Sequence, residues 1–285
     1  MTPKVYFTNF CTTGGETLPQ KLARLLLSAG MDQIDFKGKY VAIKIHFGEL
    51  GNMAYLRPGY ARVVVDLVKD LGGKPFLTDA NTMYVGSRKN ALDHLETVAS
   101  WGVRLINPVW NNANVLSGSC ADEPDRGLSV YGREFVAKMY EYGIFADVSH
   151  ISDAGFWDVI QAARGPVVAS HSNARAPGLC PHRRNLTDDM FRAVRDTGGV
   201  VGINLYLDFV GGGHMDDLIA HIEHFLSLSG ESTVAIGGDL DGCEALAAGM
   251  TGVQDVAKLY QKLEERGYPR PLLEDIFWNN WRRIL

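Results

Sequence analysis

Two short apolar runs each end in a histidine. IFADVSH closes on His150 and GPVVASH closes on His171, while a third run, STVAIGGDLDG, carries Asp239 at its end. Neutral imidazole nitrogens hold a divalent zinc, and a carboxylate nearby can share the metal or move protons at its bound water. The alternative for the same residues is that His150 and His171 hydrogen-bond within a polar loop region, with no metal involved. The metal reading requires that the runs be parallel neighbours, so that both rings stand at one end of a sheet.

The elements that would place them there are legible in the apolar pattern. KVYFTNF precedes LPQKLARLLLSAG, in which Leu18, Leu22, Leu25 and Leu26 share one helical face and Gly30 supplies the stop. YVAIKIHFG precedes a helix opening near Pro58, striped by Tyr60, Val64, Leu67, Val68 and Leu71 and ended by Gly72-Gly73. PFLTDAN precedes a helix over about 88–100. VRLINPVW then leads through a polar loop into SVYGREFVAKMYEYG. IFADVSH precedes a helix over 153–163, and GPVVASH precedes one opened by Thr187-Asp188-Asp189. GVVGINLY precedes a helix over 215–228, and STVAIGGDLDG precedes two terminal helices over 253–266 and 272–283.

Three βα units followed by five predict an α/β fold, a (β/α)8 TIM-type barrel in a single domain over 1–285. Continuous apolar strands suit a parallel sheet covered on both faces. The competing architecture is a small open α/β domain at 1–98 set on a partial barrel at 99–285. In a barrel the polar residues after each strand converge at one mouth: Lys44 and His46, Asp79 and Asn81, Trp110 and Asn111, then His150, His171, Tyr206 and Asp239.

Composition limits the function classes. The chain has 285 residues, 46% of them hydrophobic and 21% charged, with a formal net charge of −5. That charge gives no basic footprint for nucleic acid. No run of 18 apolar residues is present, so no membrane span is expected. MTPKVYFTNF lacks the charged-then-apolar layout of a signal peptide, and a cytoplasmic location is expected. Cys11, Cys120, Cys180 and Cys243 stand singly, which supports neither disulfides nor a cysteine-built metal cluster.

Longer motifs carry a resemblance. WNNAN at 110–114, DRGLSVYGREFVAKM at 125–139, DVSHISDAGFWDVI at 147–160, ASHSNAR at 169–175, HRRNLTDDMFRAV at 182–194, GGVVGINLY at 198–206 and GGDLDG at 237–242 occur in order. From about Trp101 onward the chain resembles the membrane (renal) dipeptidase family of zinc peptidases. The resemblance implies a (β/α)8 barrel, a small substrate such as a dipeptide, and a homodimer. It implies His150 and His171 as ligands of one zinc, and Asp239 as the proton shuttle between attacking hydroxide and leaving amine. It further implies Arg184 as the grip on the substrate carboxylate, with Tyr206 lining the pocket. Arg183 competes with Arg184, and Asp239 competes with Asp241 for the cap of the following helix.

The family's His-x-Asp pair and bridging glutamate for a second zinc are not found upstream of Trp101, so one ion is expected rather than two. Trp110 stands where many members carry a histidine. Residues 1–98, through KYVAIKIHFGELGNMAYLRPGYARVVVDLVKDLGGKPFLTDANTMYVGSRKNALDHLE, resemble instead a bacterial domain of unknown function grouped with iron–sulfur proteins. The chain thus reads as a chimera joined near His94 to Trp101, with His46, Glu49 and Asp79 as the residues that could replace the lost ligands. Three functions follow: a zinc dipeptidase-like hydrolase with an incomplete metal site, a barrel that binds a small ligand or metal without turnover, and a recombined or engineered barrel with no evolved function.

Overall fold

The computed structural model describes residues 4–285 except 13, 47–51, 53, 79–85, 87–88, 241 and 248. The chain divides into two compact units, 1–94 and 95–285. In the first, strand β1 (Tyr40–Lys44) pairs in parallel with β2 (Lys74–Thr78), Tyr40 opposite Lys74 and Lys44 opposite Thr78. Helix α1 (Leu18–Ser28) opens with a capping box between Thr17 and Gln20. Helix α2 (Pro58–Asp70) opens with proline, where the missing N–H has no intrahelical partner to lose.

KVYFTNF, expected to be the first strand, does not form one. Residues 4–9 are irregular, and Val5, Phe7 and Phe10 are 92%, 84% and 83% exposed. β-propensity describes fit to a paired, half-buried surface, and without a ladder partner it does not make a strand. Helix α3 (Ala91–Ser100) begins later than the apolar stripe suggests. The Asn90 side chain accepts from the N–H groups of Leu92 and Asp93, and this cap fixes the start.

The second unit holds β3 (Leu105–Ile106), β4 (Phe145–Ala146), β5 (Val168–Ala169), β6 (Val200–Asn204) and β7 (Val234–Gly238). The pairs β3–β4, β5–β6 and β6–β7 are parallel, and a single parallel bridge between Asp147 and Val168 joins β4 to β5. Neighbours in sequence are therefore neighbours in space, the order that successive βα units produce. Helices α4 (Val130–Glu141), α5 (Asp153–Ala162) and α6 (Asp188–Asp196) follow β3, β4 and β5, and their first turns are capped by Ser129, Ser152 and Thr187. Among the described residues the ladders make two sheets of two strands and one of three, seven strands in place of the eight expected.

The core of this unit is built from both faces of the strands. Val167, Val168, Ala169, Val200, Val201, Ile203, Val234 and Ala235 are fully buried, and Phe191 of α6 stacks on Phe225 of helix α7 (Met215–Ser227) with ring centroids 4.1 Å apart. The terminal helix is not continuous over 272–283 as expected. It widens into a π turn at Asp275–Asn279, which lets Asn280 donate to the carbonyls of Glu231 and Val234 and Trp281 to that of Ile236.

Two glycines set how closely the strands approach at the end that carries His171. A Cβ on Gly202 or on Gly237 would lie 2.1 Å from the Ser170 carbonyl oxygen. Any side chain at either position pushes on the residue that precedes His171. Gly202→Ala is expected to lower the unfolding free energy by about 1–3 kcal/mol, the usual size of overpacking, in urea titrations of the purified protein. An alanine variant as stable as the parent contradicts this close packing.

Candidate metal centre

The ends of β3, β4, β5 and β7 open into one cleft of about 490 Å³, lined by Asn107, Trp110, Asn114, Asp147, His150, His171 and Asp239. The two histidines come from the segments after β4 and β5, and their Nε2 atoms lie 2.9 Å apart. The other nitrogen of each ring is committed. His150 Nδ1 lies 2.9 Å from Asn111 Oδ1, an oxygen that only accepts, so Nδ1 carries the proton. Ser170 donates its hydroxyl to Asp147 Oδ2 at 2.5 Å, so His171 Nδ1, 2.6 Å from Ser170 Oγ, is the donor in its contact.

With both Nδ1 atoms protonated, both neutral rings turn a lone pair into the cleft. Two lone pairs this close repel unless an electrophile lies between them, and the choice is a proton or a cation. Bonds of about 2.0–2.1 Å from a zinc ion to nitrogens at this separation subtend roughly 90°, a closed but attainable ligand angle. Both rings are held neutral. Burial first, then the charges of Arg184 and His171, push the His150 pKa down to about 3. Burial and Arg184 lower that of His171, against an opposing pull from Asp147 and Asp239.

Asp239 follows β7 with φ of 66°, in the left-handed region that asparagine and aspartate tolerate better than most residues. Its Oδ2 accepts from Asn204 Nδ2 at 3.0 Å and stands 4.0 Å from His171 Nε2. The cleft therefore offers two nitrogens and one nearby carboxylate. Among the described residues no group of three or more His, Cys, Asp or Glu side chains is arranged to hold a metal. The two histidine nitrogens fit one ion, with coordination positions left over.

Arg184 is only 3% exposed. Its Nη1 donates to Ser172 Oγ at 3.0 Å, whereas Nε and Nη2, the parallel fork of the guanidinium, have no partner among the described residues. Burial pulls its pKa to about 10, which leaves it charged at neutral pH. The Phe209 ring lies 5.6 Å from its Cζ. Arg183, the neighbouring competitor, is paired at the surface with Glu123. A buried charge with an open fork is costly unless an anion completes it, and a carboxylate matches that fork bidentately.

The remaining sequence candidates are placed as follows. Trp110 is 68% exposed, with its ring 6.3 Å from that of His150. Tyr206 turns its hydroxyl to Asp208 at 2.8 Å and sets its ring against Phe209, 4.9 Å away. His46 follows β1 in the first unit and is exposed. Glu49, Asp79, Asn81 and Asp241 lie outside the described residues. Asp147, Ser149, Ser170, Ser172, Asn204 and Phe209 were given no role from the sequence. The available signal was Asp147 itself, an acid inside an apolar strand run, which must be hydrogen-bonded if buried.

The chain is similar to known proteins along most of its length. Residues 84–285 match the family described as Membrane dipeptidase (Peptidase family M19), and residues 41–115 match a Domain of unknown function (DUF362). An uncharacterized protein from the pqqA 5' region of Klebsiella pneumoniae is 37% identical over 204 residues, 67% of this chain and 74% of that protein. Dipeptidase aclJ of Aspergillus oryzae is 35% identical over 194 residues, which cover 65% of this chain and 45% of the relative. An uncharacterized dipeptidase of Schizosaccharomyces pombe is 36% identical, and the match spans 56% of this chain and 39% of that protein. The chain thus spans less than half the length of these two fungal dipeptidases. Among solved structures, a metallo peptidase from Rhodobacter sphaeroides, liganded with a phosphinate mimic of the dipeptide L-Ala-D-Ala, superposes with a TM-score of 0.63 at 25% identity. That match covers 93% of this chain and 71% of the other.

His221 of α7 is fully buried and ties two loops of the site together. Its Nδ1 accepts from Ala174 N at 3.2 Å, and its Nε2 donates to the Val210 carbonyl at 2.8 Å. Burial lowers its pKa below the usual histidine value. Below about pH 6.5 the unfolded chain therefore binds a proton that the folded ring resists, and stability falls with acidity. Above that pH this contribution is fully present. Urea unfolding at pH 5 and pH 7.5 is expected to show a smaller pH-linked loss in His221→Gln than in the parent. An equal loss in both proteins contradicts the assignment.

Proposed function

The chain belongs to the membrane dipeptidase family, and on that premise we propose that it is a metal-dependent hydrolase of dipeptides or similar small amides with a free carboxylate. The observation that carries this reading is the pair of Nε2 atoms 2.9 Å apart, with Asp239 Oδ2 4.0 Å from that of His171. His150 and His171 would hold one zinc ion. When bound there, zinc supplies Lewis-acid polarisation of a carbonyl and hydroxide at neutral pH.

The chain's own residues account for the rest. Asp239 Oδ2, oriented by Asn204, takes a proton from the attacking water and returns it to the leaving amine nitrogen. The open Nε and Nη2 fork of Arg184 receives the terminal carboxylate, and the Phe209 ring beneath keeps water from one face of the guanidinium. Trp110 forms an apolar wall beside His150. Tyr206 reaches the substrate region through its packing on Phe209.

An (β/α)8 barrel over the whole chain, with units of two ancestries, is part of the same reading. It is supported by the consecutive parallel order of β3 to β7, by the two family matches that meet within 84–115, and by the superposition covering 93% of the chain.

A second reading, a barrel that binds metal or a small ligand without turnover, is favoured by one observation: no third metal-type ligand joins the pair among the described residues. A panel of dipeptides assayed with added zinc separates the two. Hydrolysis is expected, with kcat lowered about 10²–10⁴-fold by Asp239→Asn. Arg184→Ala is expected to raise KM for dipeptides while leaving their C-terminal amides unaffected. No turnover at any zinc level favours the binding-only reading, and turnover unchanged in Asp239→Asn contradicts the assigned proton transfer.

A further inference from the structure

Asp147 is the centre of the hydrogen bonding behind the two histidines. It is 5% exposed, and its carboxylate accepts from Ser149 N at 3.0 Å, Ser149 Oγ at 2.7 Å, Ser170 N at 3.0 Å and Ser170 Oγ at 2.5 Å. All four donors are neutral groups. The two serines immediately precede the two histidines in sequence. Ser149 Oγ also accepts from the His171 backbone N–H at 3.0 Å, and Ser170 Oγ accepts from His171 Nδ1.

The geometry points to Asp147 as a positioning residue that sets the metal affinity of His171 through Ser170. The inference rests on the metal-centre reading above. Donation of the Ser170 hydroxyl to a carboxylate makes Oγ a stronger acceptor for the His171 Nδ1 proton. That fixes the ring's tautomer and orientation and enriches Nε2 in electron density, the usual effect of a carboxylate behind a ligating histidine. Here a hydroxyl is interposed, which moves the charge farther from the metal. Behind His150 stands the neutral amide of Asn111. The two ligands are therefore inequivalent, with His171 the stronger donor.

Asp147 also joins the ends of β4 and β5, through its bridge to Val168, and a purely structural role has to be separated from the relay. The test is a double-mutant cycle on zinc affinity in the full chain. Competition with a chromophoric chelator would compare the parent, Asp147→Asn, Ser170→Ala and the double variant, with circular dichroism confirming the fold of each. Each single change is expected to weaken zinc binding about 10–100-fold. The double variant should be no weaker than the weaker single, because both changes cut one chain of bonds. Ser170→Ala should also move the visible absorption bands of the cobalt-substituted protein.

Wild-type zinc affinity in Ser170→Ala, or losses that multiply in the double variant, would overturn the relay while leaving the metal centre in place. A parent chain that takes up no zinc would overturn both. Ser170→Ala keeps the test decisive if Asp147→Asn does not fold, since that change leaves the carboxylate and its bonds to Ser149 intact.

Discussion

The 2.9 Å separation of His150 Nε2 and His171 Nε2 is the constraint on which the rest of the site depends. Two neutral imidazoles do not hold their lone pairs at that distance by preference. The fold imposes it by placing β4 and β5 side by side in parallel and by anchoring both Nδ1 atoms from behind, one on Asn111 and one on Ser170. The glycines at 202 and 237 let β6 and β7 close against the Ser170 carbonyl, so the support extends three strands deep. Rings held this way would lose little freedom on binding a metal.

Electrostatics divides the labour in the cleft. The histidines are kept neutral by burial and by a nearby guanidinium, which suits them to coordinate rather than to carry charge. Arg184 stays cationic although buried, and its Nε and Nη2 have no hydrogen-bond partner among the described residues. Asp147 and Asp239 are the two acids on this side of the cleft. The first accepts four hydrogen bonds from Ser149 and Ser170, and the second accepts one from the Asn204 amide.

Much of this was legible in the sequence, for reasons that differ from residue to residue. His150, His171 and Asp239 could be placed together because strand ends of consecutive βα units converge, and apolar runs mark strand ends well. The helix start at Thr187 was readable from its capping chemistry. KVYFTNF misled because its alternation states a propensity and says nothing about a pairing partner. The contrast between Arg183 and Arg184 was not readable, since adjacent residues of one type differ only in which way the loop turns them. The role of Asp147 lay in contacts to Ser149 and Ser170, and Ser170 belongs to a different strand segment that only the fold brings near.

X-ray absorption at the zinc edge of the loaded, full-length protein tests the central claim most directly. The account predicts two imidazole nitrogens at about 2.0–2.1 Å, with one removed in His171→Ala and one in His150→Ala. A zinc environment of oxygen ligands alone, or one unchanged by both substitutions, would contradict it.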